Sequence, residues 1–159
     1  MKYSRFEELP VWQSAIELAV QMYQLSSRPA FKTRYSLRNQ IERAAVSVSN
    51  NIAEGFERGT TQELLTFLYI ARGSCGEVRS MLCLLERLPV FEDLKFEISN
   101  LKLSSEGVSR QLRAWADFLQ NSEVRGQRYL TNKTKSRSKE AREREEFLKE
   151  LEQVRNRKP

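Results

Sequence analysis

The 159-residue chain contains no histidine. That absence excludes Ser-His and Cys-His nucleophilic catalysis, histidine-bearing zinc sites and the Glu-x-x-His ligand pairs of natural di-iron bundles. Cysteine is scarce too. Cys75 and Cys83 fall eight residues apart on one predicted helix, and a rise of about 1.5 Å per residue separates them by roughly 12 Å, too far for a disulfide. Both read as small core residues. There are only 6 glycines and 4 prolines, and no alternating run of β-branched and aromatic residues bounded by turns, so strand signals are nearly missing. No apolar run reaches the length needed to cross a bilayer, and no hydrophobic signal region follows the first basic residue. The expectation is a cytoplasmic protein that does not contact a membrane.

What is present is helical periodicity, four times over, which makes the class all-α. At 40% hydrophobic and 30% charged residues, the chain is long enough for one domain with a core and an appendage. After a short lead-in, Pro10 suits the first turn of a helix. That helix carries one apolar row at Leu9, Trp12, Ile16, Ala19 and Tyr23 and a second at Ala15, Leu18, Met22 and Leu25. A single bundle interior needs only one of these rows. Pro29 ends the helix, and Thr33 or Ser36 can cap the next. The third helix is expected to stop at Leu88, before Pro89, and the fourth to run from about Phe91 through Leu94, Ile98, Leu101, Ser105, Val108, Leu112, Trp115 and Leu119. Four helices with short connections predict an antiparallel up-down four-helix bundle over residues 1–121.

The most informative stretch is Gln40 to Leu85. Its first half sets an apolar stripe (Leu37, Ile41, Ala44, Val48, Ile52) beside a polar one (Ser47, Asn51, Glu54) at spacings of four and three. The second half shows Leu64, Leu68, Ala71, Cys75, Val78, Leu82 and Leu85, with a middle of small residues, Ala71, Gly73, Ser74, Cys75 and Gly76, that predicts close approach by a neighbouring helix. At the corner between the halves Gly59 can adopt the left-handed conformation that ends a helix. Thr60 with Glu63 fits a capping box for the next one.

Charge is distributed unevenly. Residues 122–159 hold 12 Lys and Arg against 7 Glu, a net of +5, whereas residues 1–121 hold 15 against 14, a net of +1. Arg125, Arg128, Lys133, Lys135, Arg137 and Lys139 lie in a stretch from 125 to 139 that has no acid. Residues 122–139 are expected to be disordered when free, and residues 140–159 to form a charged helix whose apolar strip, Phe147, Leu148, Leu151 and Val154, needs a partner surface. The basic segment reads either as a solubilising appendage or as a phosphate-binding arm. Within the body, Arg43, Arg72 and Arg79 flank the apolar seams. They are either ion-pair partners of glutamates such as Glu42, Glu77 or Glu86 or a basic edge that reinforces the tail on a nucleic acid.

The Ser47, Asn51, Glu54 row is a poor catalytic or metal constellation, because metal-assisted phosphoryl chemistry wants several carboxylates. Its expected role is interhelical hydrogen bonding that fixes register, with Asn50 beside it able to face solvent. If Glu54 bridges buried donors, Glu54→Ala should cost about 1–3 kcal/mol. Nothing in the sequence calls for a cofactor or a metal.

Three segments carry a resemblance: Phe6 to Ala15 (FEELPVWQSA), Gln40 to Arg58 (QIERAAVSVSNNIAEGFER) and Phe67 to Val78 (FLYIARGSCGEV). They resemble the four-helix-bundle family first known from intervening sequences in bacterial large-subunit ribosomal RNA genes, whose fold also serves as the accessory variability protein of diversity-generating retroelements. The positions that match are Trp12, Gln40, Arg43, Ala44, Ala45, Ser47, Asn51, Ile52, Ala53, Glu54, Gly55, Phe67, Ala71 and Ser74, and the tail lies outside them. The resemblance implies a homopentameric barrel with a basic surface that binds RNA and possibly DNA, acting without catalysis. In the retroelement branch it implies partnership with a reverse transcriptase during template copying; in the ribosomal branch it implies binding of structured RNA. An intersubunit contact would bury the spare apolar row of the first helix. A helical adaptor whose tail folds on a protein partner is the reading without nucleic acid.

Overall fold

The structure, a computed structural model, describes residues 3–121. The expected basic segment 122–139 and charged helix 140–159 lie outside the described residues. Four α-helices account for most of the described chain: α1 (Pro10–Ser26), α2 (Tyr35–Glu57), α3 (Thr61–Leu85) and α4 (Lys95–Gln120). Short 3-10 turns at Phe6–Glu8, Pro29–Phe31 and Pro89–Leu94 lead into α1, α2 and α4, and the described residues contain no strand.

Each helix packs on its neighbour in the chain, and α4 closes the ring of contacts on α1. Side-chain bonds between helices fix the directions. Residue 47 of α2 meets 74 of α3, while Gly55 meets Leu64 and Phe67; Ser14 of α1 meets Gln111 of α4, while Arg28, just past α1, meets Glu97. Rising numbers on one helix meet falling numbers on the next, which is the antiparallel up-down arrangement.

The core follows the heptad-like seams. Ile41, Ala44, Val48 and Ile52 of α2, all seven seam residues of α3, and Ile98, Leu101, Ser105, Val108 and Leu112 of α4 are buried. On α1 the row Ala15, Leu18, Met22, Leu25 is buried. The other row divides: Leu9 and Ala19 are buried, Trp12 packs at the core's edge, and Ile16 and Tyr23 remain exposed. Ser105 does not interrupt the α4 seam, because its hydroxyl donates to the Cys75 carbonyl of α3 at 3.0 Å. Burial pushes the Cys75 thiol up to about 11, against smaller opposing effects of Ser105 and Arg79. A thiol in the unfolded chain ionises earlier, so Cys75 makes stability fall as pH rises from about 9 toward 11, by about 1.4 kcal/mol per unit. Denaturant unfolding across that range should show the loss, and Cys75→Ala should remove it.

Several local expectations are corrected. Helix α2 starts at Tyr35 with Arg34 at its N-cap and no side-chain cap, because Thr33 Oγ1 instead accepts from the Arg34 guanidinium at 3.4 Å. It ends on an extended Arg58, and Gly59 does not take a positive φ. Thr60 does cap α3, accepting from the Glu63 N–H at 3.2 Å, but the Glu63 carboxylate accepts from the Thr60 hydroxyl at 2.7 Å rather than from its backbone. Helix α3 ends at Leu85, three residues early, and Phe91 is a fully buried residue of the 3-10 turn before α4. The small middle of α3 is close-packed only in part: Ala71, Ser74 and Cys75 are buried, whereas a Cβ on Gly73 or Gly76 would meet nothing within 4 Å. The close approach occurs at Gly55, where a Cβ would lie 2.6 Å from Phe67 Cβ.

Candidate nucleic-acid interface

The polar row of α2 forms a directed chain of hydrogen bonds into α3. Asn51 Nδ2 donates to the Ser47 carbonyl at 2.7 Å and to Ser47 Oγ at 3.0 Å. Ser74 Oγ donates to the Ile70 carbonyl at 3.2 Å, so the 2.9 Å contact between the two serine hydroxyls leaves Ser47 as donor and Ser74 as acceptor. Glu54 is not in this chain. Its side chain is 50% exposed and accepts from Arg58, one turn on, at 2.5 Å, although its neighbour Gly55 is packed against α3. Ser47→Ala should therefore cost about 1 kcal/mol, while Glu54→Ala, losing one exposed pair, should stay within about 0.5 kcal/mol. Urea melts of the two variants side by side would rank them.

The three body arginines do not share one edge. Arg43 lines a groove between α2 and α3 with Gln40, Ala44, Ser47 and Glu77. Arg79 is on the opposite side of α3: it lies one turn from Cys75 and Cys83, whose neighbours in space are Ser105 and Lys102 of α4. Arg72, a heptad before Arg79, shares that side. Of the carboxylates that the sequence offers these arginines, Glu42 is taken by Arg38 at 2.7 Å and Glu86 by Lys102 at 2.7 Å, while Glu77 lines the groove with Arg43 without an ion pair to it. Arg43 and Arg72 thus lack ion-pair partners among the described residues. Arg79 also lacks one, and its Nε is buried without an acceptor. Arg125, Arg128, Lys133, Lys135, Arg137 and Lys139 lie outside the described residues.

Sequence reading overlooked the junction of α1 and α2. Arg28, Lys32, Arg34, Arg38 and Arg43 face a single acid, Glu42, across residues 28–43. Arg28 pairs with Glu97 and Arg34 lies over the Phe91 ring. Burial by itself would raise the Glu42 carboxyl, but hydrogen bonds from Ser26 and Arg38 outweigh it and hold Glu42 below the ordinary carboxylate range. The signal available in the sequence was local charge density, hidden by a near-neutral body total.

Among the described residues no group of side chains could hold a metal ion, and no helix is long and apolar enough to cross a membrane. The class defined by this geometry is an antiparallel four-helix bundle with basic side chains at its surface. Residues 7–114, which span the bundle up to the last turns of α4, match the family model described as 23S rRNA-intervening sequence protein, and the chain belongs to that family. No curated protein matches the sequence.

Proposed function

We propose that this chain is a non-enzymatic RNA-binding protein that works as an oligomer, with the basic segment from Arg125 to Lys139 as its electrostatic arm. The family match over residues 7–114 carries the reading, since its description ties the family to ribosomal RNA. The absence of histidine supports a role without catalysis. Oligomerisation is supported by large apolar side chains left in water on α4, Phe96 and Leu103 one heptad apart and Phe118 further along, which association would cover. Partnership with a reverse transcriptase has no observation of its own in its favour, because the matched family's description concerns ribosomal intervening sequences. A reverse transcriptase encoded beside the gene and co-purifying with the protein would restore that reading.

The test is binding of labelled single-stranded RNA, duplex RNA and DNA to the full chain across a salt series, alongside a variant with Arg125, Arg128, Lys133, Lys135, Arg137 and Lys139 changed to Gln. The expected result is RNA binding with a steep log-log salt slope that flattens in the variant by about 0.7 for each phosphate no longer neutralised. No binding by the full chain at low salt overturns the proposal.

A further inference from the structure

At the α1–α2 junction two tyrosines stand out from the surface. Tyr35, the first residue of α2, is 74% exposed, and Tyr23, in the last turn of α1, is 47% exposed. Arg38 lines one groove with Tyr35, Glu42 and Arg43, and its partner Glu42 is bonded to Ser26 in the same last turn of α1 as Tyr23. The Arg38 guanidinium is held in place: Nε donates to Glu42 Oε1 at 2.7 Å, and the same carboxylate oxygen accepts from Ser26 Oγ at 2.5 Å. The remaining four N–H groups of the Arg38 fork make no hydrogen bond to a described residue. Arg43 lines the same groove as Tyr35, Arg38 and Glu42 without an ion-pair partner among the described residues, Glu42 is already engaged by Arg38, and Glu77 lines a second groove with Arg43. From Tyr23 an apolar groove continues along α1 past Val20 and Ala19 to Ile16.

These parts fit one kind of ligand. Exposed tyrosine faces and a planar guanidinium are stacking surfaces for unstacked bases, and an unengaged cation beside them suits the phosphates that join those bases. A duplex hides its base faces, so the tyrosines can act only on unpaired nucleotides. A hydrophobic peptide would use the groove but leave Arg38 and Arg43 unmatched.

We infer that Tyr23, Tyr35 and Arg38 form a stacking platform for unpaired bases of single-stranded RNA, with Arg43 on its phosphates. This rests on the RNA-binding reading and gives the folded body a base-contacting role separate from that of the tail. Glu42 is a positioning residue: it touches no ligand and fixes the plane of Arg38 before RNA arrives.

The experiment measures binding of a short labelled oligoadenylate and of duplex RNA to the full chain and to Tyr35→Ala, Tyr23→Ala and Tyr35→Trp, with melting temperatures as fold controls. Each alanine variant should weaken oligoadenylate binding about five-fold or more, with duplex binding and the salt slope unchanged, while Tyr35→Trp retains affinity. Arg43→Gln should weaken binding and reduce the slope by about 0.7. If the wild-type chain binds RNA and the tyrosine variants bind equally well, the platform is wrong and the RNA-binding reading stands. Absence of RNA binding by the wild type overturns both. Two other outcomes also overturn the platform: a Tyr23→Ala variant that changes sedimentation but not RNA affinity marks a subunit contact, and oligoglutamate competing as well as oligoadenylate of equal charge marks simple anion attraction.

Discussion

Gly55→Ala should lower the melting temperature by several degrees, even though alanine is the better helix former by about 1 kcal/mol. The added methyl would lie 2.6 Å from Phe67 Cβ and 3.2 Å from Leu64 Cδ1. A Cβ cannot rotate out of the way, so the backbones of α2 and α3 must separate along their whole contact, and overpacking of this kind costs typically about 1–3 kcal/mol. The strain would spread to the serine bond at 47 and 74 and to Arg58, which lies 5.1 Å over the Phe67 ring. Gly73→Ala is the control. It is also inside a helix, has nothing within 4 Å of the new methyl, and should be stabilising by roughly the propensity difference. Thermal melts that move both variants in the same direction would contradict the packing described for Gly55.

Phe31→Ala and Phe91→Ala should each destabilise the bundle by about 3–5 kcal/mol, among the largest losses available to a single side chain here. Both rings are fully buried, and they meet at 4.8 Å in a tilted pair. Both come from 3-10 turns rather than from α-helices, so this pair closes the end of the core where α1 passes to α2 and α3 passes to α4. Arg34 lies 5.8 Å over the Phe91 ring and covers it from outside. A double-mutant cycle measured by urea unfolding should return a coupling of about 0.5–1.5 kcal/mol. Additive losses would mean that the two rings act on the core separately.

The seams were legible because burial along a helix repeats every three or four residues. Leu64 through Leu85 on α3 and Ile41 through Ile52 on α2 all point inward as their spacing predicts. The Thr60 cap was legible for a similar reason, since its partner is only three residues away. Phe31 and Phe91 were not, because a residue in a short turn belongs to no period. Proline at the first turn position of each segment gave only the break. Gly55 shows a different limit: the five small residues of α3 predicted close approach, yet the single glycine that allows it is on α2, and only the packed pair of helices reveals which glycine meets a neighbour. In the candidate interface, composition located Arg43, Arg72 and Arg79 without their directions, and those depend on which side of α3 each neighbour occupies. Tyr23 and Tyr35 became visible as a pair only when α1 and α2 were laid side by side.

The order in which the helices meet also bears on how the chain finds its fold. Three of the four helix interfaces join elements consecutive in sequence, and only α1 with α4 brings distant segments together. Chains dominated by such short-range contacts cross their folding barrier fast, in microseconds to milliseconds. The α2–α3 corner, with its cap and its tight glycine contact, joins neighbours at low loop-closure cost, and the seam between α1 and α4 carries the highest such cost. Until α4 arrives, one flank of α1 has no cover, so a chain interrupted within α4 would expose apolar surface at the moment when the rest of the bundle is already built.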